Sequence, residues 1–273
     1  MSIKPLLLLL FLVSMPLLAE PPLIVRHHTP AWSAITNADG SGLYHQVFKE
    51  VFAYSNVQVK AAYLPLLRAL ADVEQGKADM AGGIALGDER FLYASQPIYQ
   101  SRVSAFFHKK LVKNWQGIET IKQYEDQTVV SVGMGKLINI KGFEVNSRYQ
   151  ALNMLLRKRA LYYVDATELF EGLYQGDYSK HFNSQQGSKY HAPFNPTQYT
   201  YRSISDVSAY MVFQKSERGQ KIKALFESGF KRLFESGRLL EIYKQWGFER
   251  AIVKILLDAD AGATPANALT LYR

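Results

Sequence analysis

The feature that most constrains this chain is the alternation of short apolar runs with amphipathic helical patterns in its first half. Apolar runs begin at Leu23, Val57 and Met80, and between them apolar side chains recur at helical spacing. The order strand, helix, strand, helix, strand predicts right-handed βαβ units around a mainly parallel sheet. Residues 39–42 form a turn signal, and Ser41 is the predicted N-cap of the first helix.

The second half repeats this rhythm. The pattern predicts a β-branched strand over residues 128–132, a helix over 149–159, a strand over 161–165 and a helix over 166–174. Residues 178–202 are polar and rich in aromatics, and they are the least regular part of the chain. Two α/β units are therefore expected.

The first nineteen residues have the pattern of a cleaved secretory signal peptide. Lys4 precedes an apolar run from Leu6 to Val13, and Ala19 ends a small-residue cleavage site before Glu20. The alternative, a membrane anchor, needs about 20 apolar residues, more than this run contains. We therefore expect a periplasmic protein whose mature chain begins at Glu20.

Cysteine content and charge limit the classes of function. A chain of 273 residues without cysteine has neither a disulfide framework nor a lipoprotein anchor, so ordinary hydrophobic cores must stabilise it. The formal net charge is +8, but the longest basic cluster is only Arg157, Lys158 and Arg159. No basic stripe with interleaved aromatics is present, so no nucleic-acid partner is expected. The charge favours anionic solutes or anionic membrane surfaces.

Residues 76–99 contain most of the functional information. They comprise a Gly-Lys-Ala-Asp turn, a short apolar run, Arg90 and an extended Ser-Gln-Pro-Ile-Tyr segment. This order resembles the family-3 periplasmic solute-binding proteins, whose pattern is Gly-x-x-Asp, a short strand, Thr-x-x-Arg and Phe-Ser-x-Pro-Tyr. Near the other end, residues 235–237 (Glu-Ser-Gly) and 244–247 (Lys-Gln-Trp-Gly) match that family's Asp/Ser-Gly and Lys-Trp-x-Gly. The resemblance covers residues 24–248.

The resemblance implies a type II periplasmic-binding-protein-like fold, in which two α/β domains are joined by a two-strand hinge. The first lobe is expected to comprise residues 20–105 and 212–250, and the second lobe residues 106–211. Residues 251–273 would form a C-terminal extension. The crossover strands map to residues 103–108 and 210–215. Ligands of such lobes bind where strands end and helices begin.

Arg90 and Asp165 are the first two candidate ligand contacts. The resemblance implies that Arg90 grips a ligand carboxylate, which a guanidinium can bind through two parallel hydrogen bonds; a surface arginine is the alternative. The family's hydroxyls five and three residues earlier are replaced by Ala85 and Gly87, a departure from the α-amino-acid binders. Asp165 stands where the family's aspartate accepts a ligand ammonium. Alternatively, Asp165 is a helix N-cap, with Glu168 completing a capping box.

Five further residues complete the predicted ligand site. Trp32 follows a Thr-Pro pair and would stack on the ligand, or else pack in the core. Arg68 resembles the Pro-x-x-Arg helix start of a less characterised branch of the family, and would be a second anion contact or a solvated arginine. In the second lobe Gly135 retains the family's close backbone approach at a helix start, and Lys136 replaces its hydroxyl. Gly83 is the remaining predicted contact.

The predicted function is solute binding without a cofactor. A monomer would capture a small anionic or zwitterionic ligand, an amino acid or related organic acid, by hinge closure. The cations Arg90, Arg68 and Lys136 would favour a ligand with more than one acidic group. The protein would supply an inner-membrane ABC permease or act as a sensor, and the sequence leaves both roles open.

An enzyme is the alternative from another class. Some proteins that resemble this fold are periplasmic cyclohexadienyl dehydratases, which act on prephenate or arogenate and need a general acid or base. Glu168, Glu171, His27 and His28 are the candidates, and none lies in a recognised motif. The two histidines lack a third ligand at suitable spacing, so no metal site is expected. A structural or surface-interaction protein, with its cleft filled by side chains, is a third class.

Overall fold

A computed structural model describes residues 21–32, 34–131, 133–145, 147–174 and 195–252. The strands are β1 Leu23–Thr29, β2 Val57–Tyr63, β3 Met80–Ile84, β4 Phe91–Tyr93, β5 Tyr99–His108, β6 Thr128–Ser131, β7 Phe143–Val145, β8 Tyr162–Ala166 and β9 Tyr199–Gln214. The α-helices are α1 Leu43–Val51, α2 Leu66–Glu74, α3 Ile118–Gln123, α4 Met134–Leu137, α5 Arg148–Leu156, α6 Thr167–Tyr174, α7 Glu217–Glu235 and α8 Arg238–Gln245. The predicted signal peptide lies outside the described residues, as does the predicted extension beyond Ile252.

The two halves of the sheet follow one plan. The first half has the order β2-β1-β3-β9-β4, and the second has the order β7-β6-β8-β5-β9. Within each half the three outer strands are parallel, whereas the long strands β5 and β9 pair antiparallel with each other along ten positions. Two α/β lobes joined by two crossover strands are the architecture expected from the sequence, and the predicted fold class is confirmed.

The first lobe is organised around the amphipathic helices α1 and α7. In α1 the side chains of Leu43, Val47, Phe48 and Val51 are buried, as their spacing predicts. The two helices approach closely at Gly229, where an added Cβ would lie 2.0 Å from the carbonyl oxygen of Val51. Only glycine therefore permits this packing.

One detail of α1 differs from the prediction. The N-cap of α1 is Gly42, with no side-chain cap hydrogen bond, so the prediction that Ser41 caps the helix is wrong. The Ser41 hydroxyl instead donates to the Asp39 carboxylate within the preceding turn. The polar side chains of residues 39–42 thus form their hydrogen bonds within the turn, before the helix begins.

The second lobe has its own cores on the two faces of its sheet. On one face Phe106 stacks on Phe170 with ring centroids 5.1 Å apart, and Tyr163 lies edge-on to Phe170 at 5.2 Å. On the other face Phe107 stacks on Trp115. Such aromatic pairs add to the free energy of area burial.

The crossover strands pass from one core to the other within a few residues. On β5, Tyr99 packs in the first-lobe core and Val103 in a second-lobe core. On β9, Val207 belongs to the second lobe and Ala209 to the first. The two strands therefore pass from one lobe to the other at neighbouring positions of their pairing, as a two-strand hinge requires.

Short edge elements escaped the prediction. The strands β4 and β7 were not foreseen, because three residues contain too little periodicity, and the helix start at Gly135 was expected only from the resemblance. Strand β9 begins at Tyr199, well before the crossover strand that was expected at residues 210–215, because pairing with β5 extends it through polar residues. In the described part of the chain, no helix has the length and apolar character needed to cross a membrane.

Candidate functional site

The edges of the two sheets that hold the strand C-termini face each other. An added Cβ on Gly133, just after β6, would lie 3.2 Å from Leu66 Cδ2 and 3.6 Å from Trp32 Cζ2. Leu66 starts α2 and Trp32 follows β1, so both belong to the first lobe. Leu137 of α4 also packs against the first-lobe core. The lobes thus meet where ligands of such folds bind.

Asp165 is the centre of a buried polar network on the second-lobe side of this interface. Its carboxylate is completely buried near the end of β8. Oδ2 accepts hydrogen bonds from the Ser131 hydroxyl at 2.5 Å, the Tyr163 hydroxyl at 2.8 Å and Arg148 Nε at 3.1 Å. Oδ1 accepts from the Ala166 amide at 2.7 Å and from Arg148 Nη2 at 3.4 Å. A buried carboxylate is stable only with such partners.

Arg148, the first residue of α5, is the cation of this network. Its side chain is only 13% exposed. Burial acts to lower the pKa of Arg148, but the adjacent Asp165 carboxylate outweighs it and raises the pKa above its usual value. Two of the three guanidinium nitrogens bind Asp165, whereas Nη1 is buried and has no hydrogen-bond partner among the described residues. An unpartnered buried donor is costly, and a polar ligand or water would satisfy it.

Tyr99, Ser101 and Glu168 extend the network to the hinge. The Ser101 hydroxyl on β5 donates to Glu168 Oε2 of α6 at 2.6 Å. Burial raises the pKa of Glu168. It also raises the pKa of Tyr99 well above its usual value, and the nearby Glu168 carboxylate adds to the rise. The Ser101 hydroxyl is close enough to act against this rise, but the buried Tyr99 hydroxyl has no partner of hydrogen-bond geometry within the described part of the chain.

Four of the predicted site residues lie at or beside this interface. Trp32 is half-buried, and its indole Nε1 is buried with no hydrogen-bond partner among the residues described. Asp165 belongs to the buried network, where its cationic partner is Arg148 and not the predicted ligand ammonium. Gly135 is buried against the Ile140 carbonyl, and Lys136 is exposed on α4.

The other three predicted residues lie elsewhere. The end of β3 at Ile84 pairs with Tyr210, whereas β4, which follows Arg90, starts opposite Gln214. Arg90 therefore lies at the edge of the first sheet opposite to the interface. There its guanidinium binds the Asp88 and Glu74 carboxylates, each at 2.6 Å.

Arg68 and Gly83 also have structural surroundings. Arg68 is exposed in the first turn of α2 and lies 3.3 Å from Asp72, four residues later. Gly83 is buried in β3, where an added Cβ would lie 2.8 Å from the Ala209 Cβ. The geometry thus places Gly83 in the first-lobe sheet, where it permits close packing on β9.

The alternative role of Asp165 as a helix cap does not fit the geometry. Helix α6 begins at Thr167, two residues beyond Asp165, and the Glu168 carboxylate binds Ser101 on β5. The Thr167 hydroxyl lies 2.6 Å from the Ser104 hydroxyl and donates to the Arg102 carbonyl. The capping-box interpretation is therefore wrong.

The candidate acid–base residues are dispersed. His27 is fully buried against Phe48, and burial lowers its pKa to about 3. His28 Nδ1 lies 3.0 Å from Asp72 Oδ2. Glu171 pairs with Arg250, so of the four candidates only Glu168 joins the buried network. Among the described residues no three His, Asp or Glu side chains are grouped so that they could hold a metal ion.

Sequence reasoning missed Arg148, Tyr99 and Ser131. Arg148 follows Ser147, which accepts a hydrogen bond from the Gln150 amide and so caps α5. An N-cap pattern at Ser147 was readable from the sequence, and it places residue 148 in the first turn of a helix that begins at the ligand edge. Nothing in the sequence indicated that Arg148 turns onto Asp165.

Comparison with known proteins confirms the fold. No family model matches the sequence, and no curated protein matches it. Among solved structures, the glutamate-bound ligand-binding core of GluR0 from Nostoc punctiforme is similar, with 15% identity over 84% of this chain and 100% of that one, at a TM-score of 0.59. The fold is that of the type II periplasmic binding proteins.

Two further structures have the same fold and different roles. The arginine-bound amino acid ABC transporter substrate-binding protein AbpA from Streptococcus pneumoniae is 16% identical over 83% of this chain and 94% of its own, at a TM-score of 0.58. A histidine kinase sensor domain with similarity to periplasmic binding proteins is 13% identical over 84% and 97%, at a TM-score of 0.60.

Proposed function

We propose that this chain is a periplasmic solute-binding protein that captures a small carboxylate-bearing solute between its lobes. The main support is the buried guanidinium of Arg148. It is fixed by Asp165 and presents Nη1 without a protein partner among the described residues. A carboxylate is the natural partner of such a donor, because charge-assisted hydrogen bonds to a guanidinium are short and strong.

The second support is the aromatic side chain of Trp32, which comes from the other lobe to the end of β6. Trp32 approaches Gly133, two residues after Ser131, which itself donates to Asp165. A ligand held by Arg148 would therefore meet an aromatic face presented by the other lobe. Lys136 and Gly135, close to Gly133 in sequence, stay predicted contacts, whereas Arg90, Arg68 and Gly83 are not part of the site that we propose.

The mechanism we propose is hinge closure about β5 and β9. The lobes, expected at 20–105 with 212–250 and at 106–211, would rotate about the points where these strands change core. Those points lie between Tyr99 and Val103 and between Val207 and Ala209, a few residues before the expected bounds. The contact of Trp32 and Leu66 with Gly133 joins the two lobes, and so does the ion pair between Arg250 and Glu171. A ligand that contacts both lobes stabilises the closed state by its differential affinity.

The proposed role is capture of a solute outside the inner membrane by a monomer. Solved structures with this fold include a transporter substrate-binding protein bound to L-arginine and a histidine kinase sensor domain. Delivery to an ABC permease and sensing therefore both agree with the fold. The proposed role is compatible with the predicted signal peptide.

A screen of ligands tests the proposal. Purified protein is melted with millimolar carboxylic acids, amino acids, neutral sugars and polyamines, and small-angle scattering is recorded with each stabilising compound. We expect one or more carboxylates to raise the melting temperature by mass action and to reduce the radius of gyration. Stabilisation by a sugar or polyamine alone would contradict the ligand class, and binding at constant radius would contradict closure.

Glu168 supports a second candidate, an enzyme acting on a cyclic carboxylate. Burial raises the pKa of this carboxyl, which is the condition a general acid needs at neutral pH. Loss of prephenate absorbance on incubation with the protein, abolished in a Glu168→Gln variant, would establish this activity. Unchanged absorbance would leave solute binding as the function.

A further inference from the structure

We infer that the ligand is an organic anion without a free ammonium group, such as a hydroxy or oxo acid, rather than an α-amino acid. This inference rests on the proposed function and narrows it. It follows from Asp165, which stands where the resemblance places the acceptor of a ligand ammonium but is already bound within the protein.

The hydrogen-bonding capacity of Asp165 is fully used. A carboxylate offers about four lone-pair positions. Asp165 accepts from Ser131, Tyr163 and Arg148 on Oδ2, and from its neighbour's amide and Arg148 on Oδ1. A ligand ammonium could reach Asp165 only by displacing Arg148, and that would leave a guanidinium buried and unpaired, which is strongly unfavourable. Arg148 therefore occupies the position of a ligand cation.

The groups at this interface that have no partner within the described residues are hydrogen-bond donors or can act as donors. Arg148 Nη1 and Trp32 Nε1 are donors only, and the Tyr99 hydroxyl can donate. A ligand that satisfies them must supply acceptor oxygens. Carboxylate, hydroxyl and oxo groups do so, whereas an ammonium adds only further donors.

Glu168 is the other carboxylate that an ammonium could use. It already accepts from Ser101, and burial raises its pKa, so its surroundings disfavour the charged form that would bind a cation. The charged side chains at the interface also favour an anionic ligand. Arg148 and Asp165 neutralise each other, and Lys136 adds a positive charge near Gly133.

Matched acids that differ only at the α-carbon test the inference. We would titrate the wild-type protein calorimetrically with pyruvate, lactate and alanine, with 2-oxoglutarate, 2-hydroxyglutarate and glutamate, and with phenylpyruvate, phenyllactate and phenylalanine. Within the skeleton that binds best, we expect the oxo or hydroxy acid to bind at least about tenfold more tightly than the amino acid. The reason is that a desolvated ammonium without an acceptor costs at least this much.

The outcomes separate this inference from the function on which it rests. If the amino acid of the best skeleton binds most tightly, solute binding stands and the inference is overturned, because Asp165 must then exchange Arg148 for the ligand. If no acid of any skeleton binds, the proposed function fails and the inference with it. A preference for the oxo or hydroxy acid supports both.

Discussion

The two lobes each bury a carboxylate completely, and they satisfy it in different ways. In the first lobe Asp79 is bound by Arg26 through Nε, Nη2 and the backbone amide, and by Arg218 through Nε and Nη2. Both arginines are about two-fifths exposed, so water can solvate the guanidinium N–H groups that do not bind Asp79. In the second lobe Asp165 is bound by one arginine that is itself buried.

The difference separates a structural ion pair from the binding site that we propose. Around Asp79 every charge has a protein partner or access to water, and the cluster lies at the start of β3, away from the edge that faces the other lobe. Around Asp165 the guanidinium is oriented by the carboxylate but keeps one buried nitrogen without a protein partner among the described residues. The same pair of chemical groups thus satisfies all its donors at Asp79, which we call the closed site, and leaves one donor for a ligand at the site that we propose, which we call the open site.

The largest expected effect on stability is at the closed site. Asp79→Asn should lower the free energy of unfolding by about 3 kcal/mol, because it removes the charge that two arginines share. Ligand affinity should not change. Urea unfolding followed by circular dichroism measures the first quantity and calorimetry the second.

The matched control for Asp79→Asn is Asp88→Asn, which removes another arginine-paired carboxylate near the surface. It should cost less than about 1 kcal/mol, the usual range of exposed ion pairs. Equal losses from the two variants would contradict a special structural role for the Asp79 cluster.

The largest expected effect on affinity is at the open site, and two arginine-to-lysine changes compare the sites directly. Arg148→Lys should weaken carboxylate binding about 30-fold or more, because one ammonium cannot serve Asp165 and the ligand as a planar fork does. Arg218→Lys, beside Asp79, should leave affinity unchanged. Calorimetric titration of both variants with the best acid measures this. Equal affinities would place the ligand elsewhere.

His27 is a third buried ionisable group, and it should make the stability of the protein depend on pH. Burial lowers the pKa of His27 to about 3, with His45 and His28 adding to the effect. In the unfolded chain His27 takes up a proton near pH 6.5, so stability should fall by about 1.4 kcal/mol per pH unit between roughly pH 6 and pH 3. His27→Leu should flatten this slope in urea titrations at pH 7, 5.5 and 4.5.

Asp79 should not contribute within this pH window. Burial acts to raise its pKa, but hydrogen bonds from Arg26 and Arg218 outweigh it and hold the pKa well below the usual carboxyl range. The contribution of ionised Asp79 to stability is therefore complete above about pH 4, and it is lost only as the pH falls through the lowered pKa of Asp79. A slope that Asp79→Asn abolishes and His27→Leu does not would contradict this assignment.

The smallest expected effect concerns one hydroxyl. Tyr99→Phe should weaken ligand binding about fivefold, the loss of one hydrogen bond, while the melting temperature of the free protein stays unchanged because no described residue bonds that hydroxyl. Tyr174→Phe is the control, since the Tyr174 hydroxyl donates to the Tyr199 carbonyl. It should lower stability and spare affinity. The reverse pattern would remove Tyr99 from the site.

The sequence predicted the fold well because the spacing of apolar residues indicates where most of its helices and strands lie. Apolar spacing in α1 and α2, and the β-branched run of β6, agree with the structure to within a few residues. Short elements such as β4 had no such signal, and their pairing with β9 is a tertiary effect.

The site was less predictable, because a motif position does not determine where a side chain lies. Arg90 fitted the family order, but its place in that order did not show which edge of the sheet it would occupy. Here β4 starts at Phe91, opposite Gln214 at the end of β9. Asp165 was correctly placed at a strand end, yet its partner Arg148 lies 17 residues earlier in sequence and meets it only in the folded sheet.

The most direct test of the open site is a crystal structure of the protein with the tightest-binding acid from the titrations. The account predicts a ligand carboxylate oxygen about 2.8 Å from Arg148 Nη1, with the Arg148–Asp165 pair intact and the ligand against Trp32. A carboxylate bound at Arg90 or Arg68, with Arg148 Nη1 untouched, would contradict it.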